Sequence, residues 1–116
     1  MREPLRDPQR LKDILQAIES IENYTRNETF ESIIVDPMRY HAVVYNIMII
    51  GEAANMITHE FRDAHTDIPW KQIVGIRNFL IHGYFQVEKQ QVWKVVETDL
   101  PQLKQHITKY VNTDVR

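Results

Sequence analysis

Apolar residues recur at three- and four-residue intervals along most of the chain, and that period belongs to helices rather than strands. Leu11, Ile14, Leu15, Ile18 and Ile21 form the first such stripe. It follows Asp7-Pro8, which reads as an N-cap with proline at the first helical position, so a helix is expected to about Tyr24. The segment TRNETFESIIV is read as a loop with one turn of helix around Phe30 to Ile34. Asp36-Pro37 repeats the cap signal and opens a long second helix, from about Met38 to Phe61. RDAHTDI is a polar connection. Pro69 begins a third helix through Trp70, Ile73, Val74, Ile76 and Leu80, with Gly83 as a left-handed stop. A last helix is expected from near Val87, carrying Val92, Trp93, Val96, Leu100, Leu103, Ile107 and Tyr110. Pro101 lies inside it and should bend or break it. With only three glycines and no β-branched alternation, the expected fold is all-α: an antiparallel helical bundle of four main helices.

Composition adds boundaries to this picture. A chain of 116 residues, 43% hydrophobic and 26% charged, is read as a single domain over 1–116 with a real core. The absence of cysteine excludes disulfides and thiolate metal sites, and fits a reducing cytoplasm. MREPLRDPQRLKD has no apolar run, so no secretory signal is expected. AVVYNIMIIGEAANMI is too short and too polar to span a bilayer, so no membrane role is expected. The net charge of −2 excludes a broadly basic nucleic-acid binder; any RNA contact must use a local concentration of the 14 Lys and Arg residues.

The candidate chemistry lies where polar groups interrupt apolar helices. At about 100° per residue, Lys71, Gly75, Asn78 and His82 share one side of the third helix, while Arg77 emerges amid Ile73, Leu80, Trp70 and Ile81. An arginine there requires a partner, an open cleft, or a stem that packs while its head reaches solvent. The second helix carries two apolar stripes: Val43, Ile47, Ile50, Ala54 and Ile57, and then Tyr45, Met48, Ile49 and Met56, with Glu52 inside the latter. A helix apolar on two sides is central in its bundle or touches another subunit. Glu52 is a natural partner for Arg77, in a structural or a catalytic sense. His82, next to Gly83 at a helix C-terminus, is placed to act as acid or base near neutral pH, with Asn78 one turn back to orient it. His41, His59, His65 and His106 show no convincing pairing, and no ligand spacing such as HExxH occurs, so neither a metal nor a cofactor is expected. GEAAN is not a phosphate loop.

Arg77, His82 and Tyr84 match the Arg-x4-His-x-Tyr motif of HEPN-domain proteins. Around it IIGEAAN (Ile49 to Asn55), IPW (Ile68 to Trp70), GIRNFLIHGYF (Gly75 to Phe85) and TDLPQL (Thr98 to Leu103) resemble the HepT-like branch, in order from Leu11 to about Ile107. The resemblance implies a two-fold homodimer of all-α subunits acting as a metal-independent endoribonuclease. It further implies the toxin of a toxin–antitoxin pair, whose antitoxin is a minimal nucleotidyltransferase that transfers AMP to the motif tyrosine. Carried over by position, Arg77 and His82 are catalytic, Asn78 and Glu52 support them, and Tyr84 is the modified residue.

The residue types suit that reaction. RNA carries its own nucleophile, so cleavage needs a group that moves protons and one that neutralises the phosphorane, roles open to an imidazole and a guanidinium. Arg77 and His82 lie about 140° apart on a regular helix. They meet only if His82 departs from helical geometry at the Gly83 stop, or if two motifs face each other across a dimer axis; the second is preferred. AMP on Tyr84 would block RNA by bulk and charge. The alternative is a non-catalytic HEPN subunit that binds a minimal nucleotidyltransferase or serves as its substrate.

Overall fold

The computed structural model describes residues 6–83 and 88–114, without the side chains of residues 82, 83 and 112–114. Helix α1 (Asp7–Thr25) buries Leu11, Ile14, Ala17, Ile18 and Ile21, the face that its three- and four-residue spacing defines. Asp7 does not cap it. The cap position is Arg6, which makes no side-chain cap bond, and Asp7 is the first helical residue. The Asp7 carboxylate is buried and instead accepts from the Thr58 backbone N–H at 3.0 Å and the Thr58 hydroxyl at 2.6 Å. A local cap signal has been recruited into a bond that spans the fold.

The short helix α2 (Phe30–Ile34) forms where one turn was expected, because Thr29 and Ser32 exchange side-chain and backbone bonds in a capping box. Asp36 caps α3 (Pro37–Met56) by accepting from Arg39 N–H, with Pro37 at the start as the pattern indicated.

The long second helix ends earlier than its apolar period suggests. Ile57 is extended, and α4 (His59–Ala64) starts anew behind Thr58. Thr58 accepts from Phe61 N–H while binding Asp7, and Arg62 Nη2 reaches back to the Ala54 carbonyl at 2.6 Å. Side chains thereby satisfy both new helix ends, and Ile57 stays fully buried across the break. Periodicity alone does not reveal such a break, because Ile57 faces the core on either backbone path. Part of the expected polar connection is consequently helical.

Helix α5 spans Trp70–Gly83, so Gly83, expected as a left-handed stop, is instead the last residue of the helix and not at positive φ. Helix α6 (Lys89–Lys94) runs into a π-helical turn at Val95–Asp99 and then α7 (Leu100–Asp114). Pro101 does not break this run. The turn before it widens, so that Leu100 N–H donates to the Val95 carbonyl, five residues back.

Helix α3 lies between α1 and α5, and α7 packs on α1. One hydrophobic cluster joins them, with Ile14, Ile18, Ile47, Ile50, Ile73, Leu80, Leu103 and Ile107 among its members. Among the described residues there is no strand, and no helix is long and apolar enough to cross a membrane. Asp67 ties α7 to the α4–α5 connection: it accepts from the Tyr110 hydroxyl at 2.8 Å and lies 3.2 Å from His106 Nδ1. His106 thus has a carboxylate partner that its sequence context did not reveal. The Tyr110 bond holds the Asp67 carboxyl below its ordinary value, helped by Lys109 and His106, and the same bond raises the Tyr110 phenol.

Candidate active site

Arg77 reaches its position because α3 presents no side chain beneath it. Gly51 is buried opposite, and a Cβ there would overlap the Arg77 Cβ and stand 2.9 Å from its Cγ. The glycine therefore lets the backbones of α3 and α5 approach and gives the arginine stem a floor. The guanidinium emerges at the edge of that contact, with the side chain 25% exposed. Its Nε and Nη2 both meet Glu52 Oε2, at 3.0 and 2.9 Å, and Nη1 donates to Asn78 Oδ1 at 2.8 Å.

This geometry revises the wheel in one respect. Asn78 and Arg77 leave the helix in different directions, yet the arginine is long enough to fold its head onto the neighbouring amide. Asn78 is therefore a ligand of Arg77. Glu52 is 54% exposed, so the pair contributes little to stability, about 0–1 kcal/mol. Its effect is orientation: three N–H groups of the fork are engaged and two remain for an anion.

The two apolar sides of α3 separate only in part, since Met48 and Ile49 of the second side also pack against the core. Val43, Ile47, Ile50 and Ala54 are buried, whereas Tyr45 is 63% exposed and Met56 is also open to solvent on the Glu52 side. Ile81 of α5 is exposed as well. The Arg77 head meets the exposed polar groups of Glu52 and Asn78, and Glu52 and Met56 also border a cleft with Arg10, Asp13, Gln16 and Ser20.

Position 82 belongs to helical backbone, since α5 continues through Gly83. Departure from helical geometry at that residue is not how Arg77 and His82 would converge; the angle of about 140° between the two positions stands. The His82 side chain, and Tyr84 altogether, lie outside the described residues. The described part of the site is therefore Arg77, Glu52 and Asn78. Gly51 belongs with them, and its signal was the pairing of a small residue with a large one across a helix contact, which only the packing reveals.

Sequence comparisons give this all-α chain a family. The chain belongs to the HepT-like family, described as Ribonuclease HepT-like, whose model matches residues 14–110. A protein of Thermococcus cleftensis named probable ribonuclease HepT is 43% identical over 81% of this chain and 86% of its own length. A Methanocaldococcus jannaschii protein named as a candidate RNase is 36% identical over 84% of this chain and 89% of its own. A third, from Caldanaerobacter subterraneus and similarly named, is 36% identical over 84% and 87%. No solved structure gives a significant match.

Proposed function

We propose that this protein is a metal-independent endoribonuclease, active as a homodimer, and the toxin of a toxin–antitoxin pair. Membership of a ribonuclease family supports the reaction class. The observation that carries the mechanism is the Arg77 head, oriented by Glu52 and Asn78 with two N–H groups to spare. In the reaction the 2′-oxygen attacks the adjacent phosphorus and the 5′-oxygen leaves. His82 takes the proton from the 2′-hydroxyl or delivers one to the leaving oxygen, and Arg77 donates to the non-bridging oxygens as their charge grows. The angle between positions 77 and 82 favours a cleft in which the motifs of two copies face each other. The exposed apolar side of α3, with Tyr45 and Met56 beside Glu52, is the surface we assign to that contact. A minimal nucleotidyltransferase antitoxin would silence the enzyme by placing AMP on Tyr84, and the pair would work in the cytoplasm.

A second reading, a non-catalytic subunit that binds such a nucleotidyltransferase, draws on the same contacts, because an arginine held by a carboxylate and an amide is also a sound structural pair. The test is incubation of unmodified wild type and His82→Ala with total RNA in EDTA. Discrete products from wild type alone are expected; an inert wild type would favour the binding subunit. Mass spectrometry after incubation with ATP and the antitoxin should find AMP on the peptide containing Tyr84, and its absence there would refute the switch.

A further inference from the structure

Phe79 stands on α5 two residues beyond Arg77, and half of its surface is open to solvent. Around the helix at about 100° per residue, Phe79 lies about 60° from position 82 and about 160° from Arg77. Phe79 forms one wall of a cleft of about 260 Å³ between α5 and the run from α6 into the π-helical turn. Ile76 and Val92 supply an apolar floor, while Gln91 and Lys94 stand on the rim, both exposed. Val95 and Asp99, the first and last residues of the π-helical turn, line the same cleft. Widened turns of this kind are frequent at functional sites.

We propose that this cleft is a nucleobase subsite, in which Phe79 stacks on an unpaired base of the bound RNA. The inference rests on the ribonuclease reading and adds the substrate feature recognised: single-stranded RNA with a base free to turn outward. Three properties select that occupant. The volume lies below the roughly 300–1,000 Å³ of drug-sized pockets and is on the scale of one base. An exposed aromatic face is the sequence-tolerant means by which proteins hold single strands. The Lys94 ammonium suits the neighbouring backbone charge, and the Gln91 amide offers a donor and an acceptor to a base edge. Because net charge is −2, affinity from a general basic surface is small, and stacking carries a correspondingly larger share.

The test uses a labelled single-stranded 2′-O-methyl RNA of about ten nucleotides, which lacks a free 2′-nucleophile, and the same backbone made abasic. Fluorescence anisotropy compares wild type with Phe79→Leu, which keeps the apolar bulk, and Phe79→Trp, which keeps the π face. Phe79→Leu should weaken binding of the base-bearing oligomer about 5- to 150-fold and leave the abasic one unchanged, with Phe79→Trp near wild type. Equal losses on both oligomers, or no loss on either, would overturn the subsite. So would a change of oligomeric state in Phe79→Leu at unchanged affinity, since the face would then be covered by protein. RNA cleavage in EDTA by wild type separates the two levels. If wild type cuts but Phe79→Leu binds normally, the subsite alone fails; if wild type neither cuts nor binds, the reading beneath it fails too.

Discussion

Two glycines in the middle of helices should respond to alanine with opposite signs. At Gly51 a new Cβ would overlap the Arg77 Cβ and lie 2.9 Å from Cγ and 3.2 Å from Cα. Two of these atoms are fixed by the α5 backbone, so no rotamer change relieves the clash. Helix α5 must retreat by roughly an ångström to restore ordinary carbon–carbon separations. Overpacking of this kind costs about 2–3 kcal/mol, and the better helix propensity of alanine returns about 1 kcal/mol. Gly51→Ala should therefore lose about 1–2 kcal/mol, a fall in Tm of roughly 3–12 °C for a chain of this size. At Gly75 nothing lies within 4 Å of the added atom, so only the propensity gain applies, about 0.5–1 kcal/mol and roughly 2–6 °C upward. Circular dichroism melts of the three proteins decide the matter. Activity should separate them further, because shifting Arg77 by an ångström costs on the order of 100-fold in rate. If Gly51→Ala melts at or above wild type and still cleaves RNA normally, the close approach does not position Arg77.

Removing the buried carboxylate in Asp7→Ala leaves the Thr58 N–H and hydroxyl without their acceptor and should cost about 2–3 kcal/mol in urea denaturation. Arg77→Lys cannot bridge Glu52 and Asn78 together; stability should change by less than about 1 kcal/mol while cleavage collapses, so a large loss in Tm would make Arg77 structural. Asp67 has a lowered pKa, so its share of stability is present above the unfolded value of about 3.9 and is lost as pH falls through the folded one. Tyr110 has a raised pKa, so its share is present below about 10 and is lost as pH rises through the folded value. In Tyr110→Phe the carboxyl carbon of Asp67, followed by NMR, should titrate at higher pH than in wild type, and an unmoved midpoint would discount the hydrogen bond.

What the apolar spacing could disclose was which faces go inward. Ile14, Ile18, Ile47, Ile50, Leu103 and Ile107 are buried where their periods put them. Helix ends were legible where the capping group is local, as at Asp36, and illegible where it is remote. Asp7 carries the same Asp-Pro signal as Asp36, yet its carboxylate bonds a residue 51 positions away. The break after Met56 depends on that bond and on the reach of Arg62 to Ala54, neither of which leaves a trace in local spacing. Pro101 was legible as a perturbation, but its outcome was decided by the backbone, which could widen one turn more cheaply than abandon the helix.

The site divides along the same line. Arg77 drew attention as a charge among apolar residues, and Glu52 as a carboxylate within an outward apolar stripe; each is anomalous within its own helix, so each was visible without the other. Their union depends on Gly51, which is unremarkable in α3 taken alone and decisive once α5 lies against it. The angle between Arg77 and position 82 is of the third kind, fixed by helical geometry and unaltered by packing, because α5 holds its form to Gly83. A single copy orients the guanidinium onto Asn78, which lies about 40° around the helix from position 82. In the homodimer proposed above, Tyr45 and Met56 on the exposed side of α3 would form the contact between the two copies. That arrangement would also explain why a chain with no excess of positive charge need not have one: two oriented arginines in one cleft would concentrate it where the phosphate sits.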